Sequence, residues 1–210
     1  MAGVAASVSA LACYPKLSLW LKPSAPIWYL AAVIFLCSIF LWGFVFAWHI
    51  PCTGRPVFTL KLGLKPFWSA TVLGILAAAM FRLWLDPPLR SIMPEDYPVD
   101  LEHWLANVLF SLALIQLFLV FAPFDWLIRL LKNRWLAVSL TALFGAGVLA
   151  LKIQAHATPV PPLLLAFLLA GRITIGFLTV WLYLRGGVIL VWWWTLLLAL
   201  RLLPGLVGNS

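Results

Sequence analysis

Long apolar runs free of charge alternate along the chain with short segments that hold nearly all of its Lys, Arg, Asp and Glu. A helix needs about 20 apolar residues to cross the hydrocarbon of a bilayer. Residues 27–48 meet that length without a charge and carry Trp28 and Trp48 near their ends. Residues 67–85 follow Pro66, with Trp68 and Trp84 at the ends and Arg82 near enough to one end to snorkel. Residues 104–122 and 135–151 each begin at a tryptophan and are uncharged. Residues 161–184 open on Pro161-Pro162, which suits a helix start, and residues 187–203 carry Trp192-Trp193-Trp194. Tryptophan at span ends is what an aromatic belt requires, because the indole N–H seeks headgroups while the ring seeks hydrocarbon. The pattern predicts an all-α integral membrane protein of about six transmembrane helices.

The polar segments divide the chain further. Residues 1–26, with Lys16, Trp20 and Lys22, are read as an N-terminal interfacial segment, and 27–207 as a single transmembrane helical domain. Residues 86–103 hold five of the six acidic residues and four prolines, which predicts an extramembrane loop or cap without a continuous helix. Residues 124–134 mix Asp125, Arg129, Lys132 and Arg134 with large apolar residues, as expected of a helix end at the interface or continuing the third span. Lys and Arg divide almost evenly between the two sides. Their dense clusters at 55–65 and 129–134 favour cytoplasmic placement of loops 49–66 and 123–134, in a bacterial inner membrane.

Composition narrows the class. Hydrophobic residues make up 65% of the chain and charged ones 10%, against about 45–50% and about 25% in a soluble domain. Together with a mean hydropathy of +1.08, this excludes a soluble enzyme, a disordered segment and a secreted disulfide scaffold. The net charge of +8 comes from basic residues that flank apolar runs. They read as headgroup anchors, with membrane lipids and not nucleic acid as the partner. Cys13, Cys37 and Cys52 form neither a disulfide framework nor a zinc motif. Ala10-Leu11-Ala12-Cys13 is similar to a lipoprotein cleavage box, but no basic residue precedes it and the reading is of an unprocessed segment. Ala70, Gly74 and Ala78, and likewise Ala142, Ala146 and Ala150, form small-residue ridges expected to pack helices within one bundle.

Few residues could carry chemistry. Arg172 lies midway along a span, where a charge is costly unless paired or hydrated. Asp125 is its acidic candidate, with Thr174, Thr179 and Ser139 as further hydrogen-bonding groups. Either a polar cavity or a structural Arg satisfied by helix carbonyls fits. His49, His103 and His156 are weak candidates for a metal or tetrapyrrole ligand and read better as interfacial residues. No metal site and no cofactor is predicted, although a bound lipid or pigment remains open. Glu102-His103 resembles an acid–base pair, but Asp100 fits a helix N-cap with Glu102 in the first turn, where negative charge is favoured. The Trp192–194 triplet cannot face one way on a helix and reads as an interface anchor or a contact to a neighbouring subunit or cofactor. The 13 Trp exceed what two belts need, which suits contacts to partner subunits, lipids or pigments. No Ser/His/Asp set, glycine-rich phosphate loop, HExxH or Cys/His cluster is present.

From Phe58 onwards, over about 150 residues, the chain resembles the CAAX-protease and bacteriocin-processing (CPBP, or Abi) family of intramembrane glutamic peptidases. The likeness runs through the segment from Phe58 to Pro66, similar to the family's "LGLR-P" motif, and through Ala122-Pro123 and Arg129. It continues from Phe167-Leu168-Leu169 and Gly176 to Trp181-Leu182-Tyr183-Leu184-Arg185-Gly186-Gly187, similar to the family's "LYLRTGS". The resemblance implies a CPBP-like helical bundle. It also implies an EExxxR pair, FxxxH on the next span and HxxxN on the last, with Glu activating water and His and Asn holding the oxyanion. On that register the two Glu fall on Phe124 and Asp125, the first His on Val148, and the last His and Asn on Leu196 and Leu200. Asp125, Arg129 and Phe144 alone remain.

The expectation is therefore a degenerate, non-catalytic CPBP-like protein, a pseudoenzyme serving as a structural or accessory subunit beside other integral membrane subunits. Two alternatives stay open: an intramembrane endopeptidase with a divergent site using Asp125, Arg129 and Glu102-His103, and a small transporter or lipid-handling protein built around Arg172.

Overall fold

Apolar runs of this length have one stable state in lipid, because each backbone N–H and C=O must be satisfied within its own segment. A computed structural model describes residues 1–20, 26–59, 63–155 and 160–203, and all regular structure among them is helical. The helices are α1 (Ala2–Trp20), α2 (Ile27–Thr53), α3 (Leu64–Met80), α4 (Asp86–Ile92), α5 (Leu101–Phe110), α6 (Ala122–Leu131), α7 (Arg134–Gln154) and α8 (Pro162–Leu200). A π-helical turn at Phe81–Leu85 joins α3 to α4, and two more, at Ser111–Ile115 and Leu117–Phe121, join α5 to α6. Among the described residues six helical runs are long and apolar enough to cross a membrane: Ala2–Leu19, Ile27–Thr53, Leu64–Ile92, Leu101–Leu131, Arg134–Gln154 and Pro162–Leu200.

The wide turns have a cause in sequence. A proline inside a helix lacks the N–H for the i−4 carbonyl and its ring crowds that carbonyl. Pro87-Pro88 and Pro123 each stand just after a π stretch, whose wider turn gives that carbonyl room. The run that starts at Leu101 therefore continues through the mixed 124–131 segment to Leu131 as one path.

Residues Ala2–Trp20 form a helix packed along α2 and α5. Pro15 and Lys16 interrupt its apolar pattern, but the ammonium of Lys16 is held by Asn107 Oδ1 and the Trp42 indole N–H donates to Ser9 Oγ at 3.0 Å. Cys13 is fully buried in this contact.

Within α8 the chain reverses. Gly187 has φ 65° and ψ −159°, outside the helical region. A Cβ there would stand 2.5 Å from the Val57 carbonyl oxygen, which instead accepts from the Val188 N–H at 3.1 Å. Residues 162–186 run against α7, with Gly176 on Ala142 and Arg172 on Gly145. Residues 188–201 run back alongside α3, with Trp193 Nε1 donating to Thr71 Oγ1 at 2.9 Å, Leu197 seated on Gly74 and Arg201 paired with Asp86. A Cβ on Gly74 would lie 2.7 Å from Leu197 Cδ1, so the small-residue ridge on α3 serves packing inside the bundle.

Residues 86–103 form an ordered cap. Asp86 accepts from Tyr97 Oη at 3.0 Å and pairs with Arg201 at 3.1 Å, while Lys152 holds Asp96. Burial raises the Tyr97 phenol above its usual range, with the Asp86 carboxylate adding to the effect. The same cap holds the N-terminus of α5, where Asp100 accepts from the His103 N–H at 2.8 Å.

Candidate functional site

Three helices bring one polar cluster into the core. Asp125 sits in the first turn of α6, His49 one turn before the end of α2, and Tyr183 on α8 just before the reversal. Asp125 and Tyr183 are 0% exposed and His49 is 1% exposed. The Tyr183 hydroxyl donates to Asp125 Oδ2 at 2.9 Å. His49 Nδ1 lies 3.8 Å from Asp125 Oδ1, and neither of those two atoms has a hydrogen-bond partner among the described residues. The His49 ring packs on Tyr183 with centroids 4.6 Å apart, and Phe121 stacks on Tyr183 at 4.8 Å. Phe124 closes the edge at 6.0 Å.

The remaining remnant positions do not converge on this cluster. The Arg129 guanidinium lies 3.9 Å from the centre of the Trp48 ring, a cation–π contact. Phe144 is 40% exposed and packs on Phe118 at the outer surface, and Leu200 is 39% exposed. Val148 and Leu196 are half-buried. Phe144, Val148, Leu196 and Leu200 carry no side-chain hydrogen-bond donor.

Arg172 is half-buried. Its guanidinium packs on Gly145 of α7, with Nε donating to the Gly145 carbonyl at 3.4 Å, the contact expected of a structural Arg held by a helix carbonyl, while the Asp125 carboxylate accepts from Tyr183. Thr174 and Thr179 bond back to their own helix, at Ala170 O and Ile175 O.

The histidines differ from one another. His49, read as interfacial, is buried because the apolar run 27–48 continues helically to Thr53 and turns His49 inward. The Asp125–Tyr183 and Asp125–His49 pairings escape a sequence reading because residues 49, 125 and 183 meet only once three helices are packed. His103 is part of a cap: Asp100 is the N-cap of α5 and its Oδ1 lies 2.7 Å from His103 Nδ1. These contacts hold the Asp100 carboxyl below its ordinary range, chiefly through the His103 N–H. His156 lies outside the described residues. Among the described residues no group of three His, Cys, Asp or Glu could hold a metal ion.

The three tryptophans of the triplet contact different neighbours within the bundle. Trp192 Nε1 donates to Leu112 O at 2.8 Å, Trp193 to Thr71 while stacking on Phe67, and Trp194 is fully buried. All three tie the returning limb of α8 into the bundle.

Two cavities flank the cluster. One, of about 610 Å³, is apolar and lies between α1, α2 and α5, lined by Val4, Val8, Trp42, Phe46, Phe58 and Trp192 among others. The second, of about 430 Å³, is lined by Cys52, Thr53, Arg55, Pro66, Arg134, Leu184 and Arg185. It sits one helical turn beyond His49 and beside Tyr183. Compared with known proteins, the chain matches no family model, no curated protein and no solved structure.

Proposed function

We propose that the chain is a non-catalytic integral membrane protein with a CPBP-like bundle, serving as a structural or accessory subunit of a larger membrane assembly. The enclosure of Asp125 carries this reading. A hydrolytic carboxylate must reach water or substrate within hydrogen-bond distance. The Asp125 side chain is 0% exposed, with Oδ2 taken by Tyr183 and the approach closed by Phe121 and Phe124. Tetrahedral intermediates also need placed donors, and Val148, Leu196 and Leu200 offer none. The cluster instead joins α2, α6 and α8 at a single point, which is the work of a structural clamp. Trp28, Trp68, Trp84, Trp126 and Trp135 remain exposed and give apolar surface to lipid or to neighbouring subunits.

A second reading, an intramembrane endopeptidase with a divergent site, is favoured by one observation. Asp125 Oδ1 and His49 Nδ1 face each other at 3.8 Å with hydrogen-bonding capacity unused. Reconstitution with membrane-embedded peptides separates the two. The subunit reading expects no cleavage above protein-free vesicles, with wild type and Asp125→Asn alike. Cleavage by the wild type that disappears in both Asp125→Asn and His49→Gln establishes the second reading instead.

A further inference from the structure

The polar cavity beside the Asp125 cluster has a composition that the clamp does not explain. Three arginines line it from three separate segments: Arg55 after α2, Arg134 at the first residue of α7, and Arg185 before the α8 reversal. All three residues are exposed, and no carboxylate lines the cavity. Four of the six acids pair elsewhere: Asp86 with Arg201, Asp96 with Lys152, Asp100 with His103 and Asp125 with Tyr183. Converging like charges repel, and the arrangement is favourable when an anion sits among them.

The structure also holds the three in place. The Arg55 guanidinium donates to the Arg185 carbonyl, and the Val188 N–H donates to Val57, so the segment after α2 is stitched to the reversal. The Arg185 guanidinium rests on the Trp181 ring at 4.1 Å. Arg134 opens a helix of 21 residues whose N-terminal dipole adds positive potential.

Position identifies the source of the anion. Thr53 ends one candidate span, Arg134 begins another and Pro66 lies just inside a third. Residue 185 stands 23 residues past the start of the last, a rise of about 35 Å and so about the thickness of the hydrocarbon core. The cavity is therefore at headgroup level. Planar guanidinium groups match phosphate oxygens in paired hydrogen bonds. We infer that the cavity formed by Arg55, Arg134 and Arg185 binds the phosphate headgroup of an anionic membrane phospholipid. This site does not depend on whether Asp125 is catalytic.

Cys52 lines the cavity, whereas Cys37 is exposed elsewhere on α2 and Cys13 is buried. The test follows the alkylation rate of each cysteine by peptide mass spectrometry in the full-length protein in neutral detergent. The probes are dioctanoyl phosphatidic acid, dioctanoyl phosphatidylcholine and inorganic phosphate. The site predicts that phosphatidic acid slows alkylation of Cys52 while leaving Cys37 unchanged, and that phosphatidylcholine slows alkylation of neither cysteine. Each of Arg55→Gln, Arg134→Gln and Arg185→Gln is expected to raise the half-protecting concentration by roughly tenfold, with Cys13 still unreactive as the mark of an intact fold. Equal protection by phosphatidylcholine, equal protection of Cys37, or no protection of wild-type Cys52 overturns the proposal. Inorganic phosphate as effective as phosphatidic acid overturns the lipid assignment in favour of a soluble phosphate ligand.

Discussion

The Tyr183 hydroxyl and Asp125 Oδ2 lie 2.9 Å apart in a part of the bundle with no solvent exposure, joining α8 to α6. Removing the donor leaves a buried carboxyl with one partner fewer, at a cost of about 1–3 kcal/mol. Tyr183→Phe keeps the ring's contacts with His49 and Phe121, so the loss isolates the hydroxyl. The expected outcome is a lower unfolding temperature in detergent with unchanged helix content. Unaltered thermal stability would remove the clamp role.

The reversal in α8 depends on Gly187. An alanine there combines a positive φ, worth about 1–3 kcal/mol of strain, with a Cβ placed 2.5 Å from the Val57 carbonyl oxygen. Gly54 also has a positive φ, but a Cβ there meets nothing within 4 Å. Gly187→Ala is therefore expected to lose far more folded protein than Gly54→Ala, read as monodisperse yield by size-exclusion chromatography.

Packing of α7 against α8 gives a similar contrast. A Cβ on Gly176 would stand 2.9 Å from the Ala142 backbone, whereas Gly147 has open space. Gly176→Val is expected to separate the helices and lower the unfolding temperature. Gly147→Ala is expected to be neutral or to gain about 0.5–1 kcal/mol from reduced backbone freedom.

The cap of α5 predicts a pH dependence with a definite sign. Contacts with His103 hold the folded-state pKa of Asp100 below that of the unfolded chain. The cap's contribution is therefore present above the unfolded carboxyl pKa of about 4 and fades as pH falls through the lower folded value. Amide exchange at His103 and Trp104 is expected to lose protection over that acidic window. Asp100→Ala is expected to show reduced protection at all pH values, without that transition.

Much of the fold is legible in the sequence because hydrocarbon imposes a simple rule: an uncharged run long enough to cross is a helix. Residues 27–48, 104–122 and 135–151 follow that rule directly. The α1 helix is harder to read, since Pro15 and Lys16 break its pattern and the group that receives Lys16, Asn107, is 91 residues away. The site is less legible still. Asp125 stands out as an acid in an apolar stretch, but nothing local to residue 49 or 183 marks either as its neighbour. The same holds for Arg55, Arg134 and Arg185, each of which reads singly as a headgroup anchor until the α8 reversal and the α2–α3 connection bring them around one cavity.

The proposed role as a non-catalytic subunit of a membrane assembly is tested by the native mass of the protein extracted from its own membranes in mild detergent. The expected result is a particle holding other integral membrane chains in fixed stoichiometry, which persists when Asp125 is replaced by Asn. A free monomer, recovered across detergents gentle enough to preserve neighbouring membrane complexes, would contradict it.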